Sequence, residues 1–204
     1  MTSLKSVVKK IFGRESFITV VSGLPRSGTS MMMSALKAGG MPLLVDGLRE
    51  ADRNNPKGYY EYEPVKKLAK GSVNWLDFAK GRAVKIISAL LEFLPKNYQI
   101  RTIFMERDIE EILASQKRML NRSGVVEEHP VSDEEMQKSY QAHLKQVKSY
   151  LEENDWLKVI YVSYNQVLQD PDGEFQKVAR FLDDIVDPSA MVSVVDPDLY
   201  RERK

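Results

Sequence analysis

The chain has 204 residues, of which 43% are hydrophobic and 29% charged; this is enough for one domain with its own core, and no apolar run approaches a membrane span. A formal net charge of +1 with no cysteine excludes a global field for nucleic acid, a disulfide scaffold, a thiolate nucleophile and cysteine-held zinc, and fits a reducing, cytoplasmic compartment. The two histidines, His129 and His143, lack metal-site patterning, so any anion site must be assembled locally; His143, beside Leu144, reads as a partly buried helix residue.

Leu4, Val7, Val8, Ile11 and Phe12 recur at helical spacing, with Lys5, Lys9, Lys10 and Arg14 on other faces. The pattern predicts an amphipathic helix over residues 1–15, docked on the domain in preference to a membrane surface. It lacks the h-region of a secretory signal. Residues 17–22 read as a buried strand that breaks into Gly23-Leu24-Pro25-Arg26-Ser27-Gly28-Thr29-Ser30. In a nucleotide-triphosphate loop of the pattern G-x-x-x-x-G-K-[ST], backbone N–H groups and a helix N-terminus cradle phosphate while the lysine reaches the outer phosphates. Here both glycines and Ser30 keep that spacing, but Thr29 stands at the lysine position and the cation, Arg26, lies inside the loop. An anion cradle without that lysine points to a phosphate-containing donor other than a nucleoside triphosphate.

A helix over residues 30–37 follows, stopped by Gly39-Gly40, with Met31, Met32 and Met33 filling space on its inward side. The turn-rich residues 53–58 lead into Tyr59-Tyr60-Glu61, and Pro64 opens a helix toward Lys70. Residues 72–80 read as a further helical piece, 83–87 as a second strand and 101–105 as a third, which ends at Glu106-Arg107-Asp108. Ile109, Ile112, Leu113, Met119 and Leu120 mark a helix, and residues 121–132 read as a mobile lid or acceptor loop. Ser132-Asp133-Glu134-Glu135 is a capping box that opens a long helix through Leu151. Residues 157–162 supply a fourth strand, and a last helix follows the Asp170-Pro171 break. The alternation predicts a single α/β domain over residues 1–204. Its fold is a three-layer sandwich with a central, mainly parallel sheet of four to five strands flanked by helices, of the P-loop nucleotide-binding type. Right-handed crossovers bring Arg26, Lys85 and Arg107 to the carboxyl edge of that sheet.

The segment Gly23 to Ser30 resembles the 5′-phosphosulfate loop of the sulfotransferases, which use 3′-phosphoadenosine 5′-phosphosulfate as sulfuryl donor. Arg107 and Ser115, eight residues apart, resemble the family's arginine and serine on the 3′-phosphate, a planar fork with a hydroxyl from the following helix. Tyr164, seven residues before Pro171, resembles its adenine-binding tyrosine, and Lys85 its lysine near the transferring sulfuryl group. The histidine base of the cytosolic branch would stand at Ile87. Glutamate serves as base in other branches, which makes Glu61 the candidate here, with Glu63, Asp46 and Asp52 in reserve and Arg49 and Arg53 available to an acidic acceptor. The resemblance therefore implies a sulfotransferase with Arg26, Glu61 and Lys85 as catalytic residues. Pro25, Arg26, Ser27, Gly28, Thr29, Ser30, Arg107, Ser115 and Tyr164 would bind the donor, with no metal required. The acceptor is a hydroxyl or amine on a small molecule, glycan, lipid or peptide. Against the family pattern, the Arg-Lys-Gly loop that closes on the 3′-phosphate is missing, and only the basic tail after Asp198 offers cations there. A degenerate P-loop kinase and a non-catalytic nucleotide-binding protein are the competing readings.

Overall fold

A computed structural model describes residues 17–49, 52, 58–123 and 131–196. The expected helix over 1–15, the turn at 53–57, lid residues 124–130 and the basic tail lie outside them. Strand β1 (Ile18–Gly23) leads to helix α1 (Thr29–Ala38), then a 3₁₀ helix (Glu63–Lys70), α2 (Leu76–Ala79) and β2 (Ala83–Lys85). A second 3₁₀ helix (Ser88–Phe93), β3 (Ile100–Glu106), α3 (Ile109–Ser123) and α4 (Asp133–Glu153) follow, then β4 (Leu157–Ser163), α5 (Tyr164–Gln169), α6 (Pro171–Phe181) and α7 (Pro188–Val192).

The four strands form one sheet in the order β2-β1-β3-β4, every pair parallel. Val20 is in register with Val84 on one side and Thr102 on the other, and Ile103 with Ile160. All positions of β1 are buried, as a central strand covered on both faces requires. On one face Val21 packs with Met32, Met33 and Leu36 of α1, Phe175 and Val178 of α6 and Met191 of α7. On the other, Ile18 and Val20 pack with Leu68, Trp75, Leu76, Leu91 and Leu151. The three-layer α/β arrangement expected from the alternation is thus present, and α1 continues β1 through the glycine loop.

The differences have local causes. The strand expected over 83–87 pairs only to Lys85, because Ile87, at φ −63° and ψ 148°, already leads into a 3₁₀ helix. The piece over 72–80 contracts to α2, since Gly71 at φ 77° ends the preceding 3₁₀ helix. α3 runs on to Ser123, so the first residues assigned to the lid are helical. The capping box is formed in full: Glu135 N donates to Ser132 Oγ at 3.2 Å and Ser132 N to Glu135 Oε2 at 3.1 Å. Helix α5 carries no signal beyond its cap, Ser163 Oγ accepting from Gln166 N, and α7 only its cap, Asp187 Oδ1 accepting from Ser189 N, and Pro188 at its first position.

Candidate active site

The loop between β1 and α1 is shaped by two close approaches. A Cβ on Gly23 would stand 2.5 Å from Ser27 Oγ and 2.6 Å from the Met105 carbonyl oxygen, and one on Gly28 would stand 2.5 Å from Cδ2 of Tyr164. Gly28 also has φ 99°, a conformation that suits glycine. Arg26 is left-handed as well, at φ 71°, an arrangement that costs a residue with a Cβ about 1–2 kcal/mol. Arg107 Nη1 donates to the Arg26 carbonyl at 3.2 Å and holds it there. Among the described residues the first turn of α1 has no side-chain cap, and it carries no acid, so its positive end suits an anion.

A cavity of about 430 Å³ opens on that turn. The ends of all four strands reach it: the loop after β1, Lys85 from β2, Arg107 after β3 and Tyr164 after β4. Of the residues predicted for the site, Pro25, Arg26, Gly28, Thr29, Ser30, Glu61, Lys85, Arg107, Ser115 and Tyr164 line this single cavity. Ser27 does not. Its side chain is buried beneath the loop without a hydrogen-bond partner among the described residues, and its N–H donates to the Leu24 carbonyl at 3.2 Å. The Ser27 N–H is thus already engaged within the loop.

Lys85 Nζ donates to the Tyr59 carbonyl and to Ser30 Oγ, the latter at 3.4 Å. Burial lowers its pKa from 10.5 to about 8, with Glu61 pulling upward and Arg49 and Arg26 reinforcing the depression. Arg26 Nε donates to Ser115 Oγ at 3.0 Å, so the loop cation and the helix serine, expected at opposite ends of the donor, touch. Burial, followed by Arg107 among the charged neighbours, lowers the Arg26 pKa, while Tyr59 pulls it upward; an arginine so displaced is still a cation. Arg107 lies with its guanidinium carbon 4.5 Å from the Tyr164 ring centre. Burial raises the Tyr164 phenol, which Arg107 opposes.

Also lining the cavity, Glu61 pairs with Arg49 at 2.9 Å, their side chains 29% and 49% exposed. Arg49 in turn lies 3.4 Å above the ring of Tyr59, whose hydroxyl donates to the Asp52 carboxylate. The reserve carboxylates are engaged elsewhere. Asp46 accepts from the backbone N–H groups of Leu48 and Glu63, and those bonds, outweighing desolvation, lower its pKa. Glu63 pairs with Lys66 at 2.7 Å. Ile87, at the position of the family's histidine, is on the cavity wall and about half exposed. His143 Nε2 lies 2.8 Å from Ser88 Oγ and does not line the cavity.

Sequence reasoning missed Glu111, whose carboxylate pairs with Arg107 at 2.9 Å; the i, i+4 spacing of the two was the available signal. It also missed Arg118, Arg122 and Asp196 on the cavity wall. Ser115, Arg118 and Arg122 follow one face of α3 at spacings of three and four. Among the described residues the cavity is lined by six cationic and two acidic side chains, a local positive field in a chain of net charge +1. Among the described residues no group of three or more histidine, aspartate or glutamate side chains has the arrangement of a metal site, and no helix is long and apolar enough to cross a membrane.

The sulfotransferase domain family matches residues 18–197 of the chain. No curated protein matches it in sequence. Among solved structures, it is similar to an unliganded sugar kinase from Janibacter sp. HTCC2649, with 13% identity, 86% of this chain and 98% of that one covered, and a TM-score of 0.47. It is also similar to the sulfotransferase domain of the olefin synthase from Synechococcus PCC 7002, with 12% identity, coverage of 93% and 85%, and a TM-score of 0.45.

Proposed function

The chain belongs to the sulfotransferase family, and on that premise we propose that it moves a sulfuryl group from 3′-phosphoadenosine 5′-phosphosulfate to a hydroxyl or amine acceptor. The observation that carries this reading is the make-up of the loop. The uncapped first turn of α1, with Thr29 in place of a lysine, shares one cavity with Arg26 and Lys85. Arg26, Lys85 and the Thr29 and Ser30 hydroxyls can all donate to a doubly anionic phosphosulfate.

In the reaction Glu61 accepts the proton of the acceptor as its oxygen or nitrogen bonds to sulfur. The bond between sulfur and the bridging oxygen breaks, and its electron pair stays on the departing 5′-phosphate. Lys85, Arg26 and the amides from Gly28 to Ser30 stabilise charge gathering on that oxygen and on the sulfuryl group. Arg107 and Ser115 hold the 3′-phosphate, and the buried Tyr164 ring meets the adenine. Arg49 holds the Glu61 carboxylate at the cavity wall.

Thermal-shift titration tests the donor class. Adenosine 3′,5′-bisphosphate is expected to raise the melting temperature more than ATP with magnesium does at equal concentration. A larger shift with ATP would overturn the reading in favour of a P-loop kinase.

A further inference from the structure

We infer that Glu111 is a positioning residue that confers selectivity for a 3′-phosphate by fixing the guanidinium of Arg107. This rests on the sulfotransferase reading above, which assigns Arg107 to that phosphate. Both carboxylate oxygens of Glu111 are used: Oε2 accepts from Arg107 Nε at 2.9 Å and Oε1 from Asn165 Nδ2 at 3.0 Å. The side chains of Arg107 and Glu111 are only 8% and 5% exposed. Glu111 thus ties the turn after β3 to the start of α5, where the neighbouring Tyr164 lies beneath the Arg107 guanidinium. With Nε held by Glu111, Nη1 held by the Arg26 carbonyl and the plane resting on Tyr164, three contacts fix the orientation of the fork.

Two effects of opposite sign follow from this placement. A buried carboxylate beside an anion subsite repels the anion and neutralises part of the arginine's charge, which weakens binding. An arginine locked in one rotamer loses less conformational freedom when it binds phosphate, which strengthens it. Coulomb repulsion alone predicts tighter phosphate binding when the charge is removed. Positioning predicts the reverse, and it also accounts for the second bond to Asn165, which a simple counter-ion to Arg107 does not need.

Calorimetric titration of adenosine 3′,5′-bisphosphate and of adenosine 5′-monophosphate into the wild type, Glu111→Gln, Arg107→Ala and the double variant decides the sign. Glu111→Gln is expected to weaken the bisphosphate roughly tenfold and the monophosphate less than about twofold. In the Arg107→Ala background the same change is expected to leave the ratio of the two affinities unaltered, because Glu111 acts through Arg107. Tighter bisphosphate binding, equal losses for both ligands, or an undiminished effect without Arg107 would overturn the inference. If Glu111→Gln does not fold, Asn165→Ala decides, since it keeps the charge and removes one anchor: a reduced preference for the bisphosphate supports positioning and an unchanged one refutes it. A wild type without preference for the bisphosphate would instead sink the donor assignment itself. A wild-type preference that Glu111→Gln retains sinks only the role of Glu111.

Discussion

The cation most exposed to a decisive experiment is Lys85, because its charge changes near neutral pH. Burial takes its pKa from 10.5 to about 8, which amounts to about 3 kcal/mol in favour of the neutral amine. The ammonium form is present below that pKa and lost above it. If Lys85 stabilises the departing oxygen and the sulfuryl group, kcat/KM for the donor falls about tenfold per pH unit above about pH 8. A bound anionic donor raises the pKa again, so the corresponding limb in kcat lies at higher pH. Unfolding does not account for this lysine's share of the loss. With a folded pKa below the unfolded one, its contribution to stability grows as pH rises between about 8 and 10.5. Lys85→Met should cost about 10²–10³ in kcat, the usual loss on removing one charge-stabilising donor. Lys85→Arg should keep a cation but lose the alkaline limb, since arginine does not titrate there. The assay is transfer of labelled sulfuryl group across a pH series, after an acceptor screen. An alkaline limb that persists in Lys85→Met, or a kcat within about twofold of wild type, would refute the assigned role.

Glu61→Ala should lower kcat about 10²–10⁴-fold at saturating donor without changing adenosine 3′,5′-bisphosphate affinity; an unchanged kcat with a good acceptor would remove Glu61 as the base. Gly28→Ala combines a left-handed φ of 99° with a Cβ placed 2.5 Å from the Tyr164 ring. Strain and overpacking together predict a loss of about 2–5 kcal/mol, read as a lower denaturation midpoint in urea, and a loss below about 0.5 kcal/mol would contradict the packing argument. Ser132→Ala removes both side-chain bonds of the serine in the capping box and should cost about 0.5–2 kcal/mol with kcat unaltered, which chemical denaturation and turnover measured together would check.

Much of the fold was legible because its signals are short-range. The β-branched run of β1, the glycines at 23 and 28 and the Ser132 capping box act within a few residues, and each element formed where its pattern stands. Among the elements that escaped, α5 and α7 are six and five residues long, too short for a hydrophobic period to declare itself. The same division holds in the site. The right-handed crossovers of a parallel sheet foretold that Arg26, Lys85 and Arg107 would meet at its carboxyl edge, because handedness leaves few alternatives. It did not foretell that Ser27 turns under the loop, that Arg26 meets Ser115 across 89 positions of sequence, or that Asp46 and Glu63 bond away from the cavity.

The order of residues by itself determined the glycine-bracketed loop between β1 and α1, the alternation of strand and helix and the choice of cations at strand ends, all products of local sterics and of hydrophobic period. Only the tertiary structure decided which carboxylates face the cavity, how far Lys85 is desolvated and that Glu111 is buried against Arg107 and Asn165. Those properties depend on how much water and which charges the packed layers leave around a side chain, and residues distant along the chain supply both.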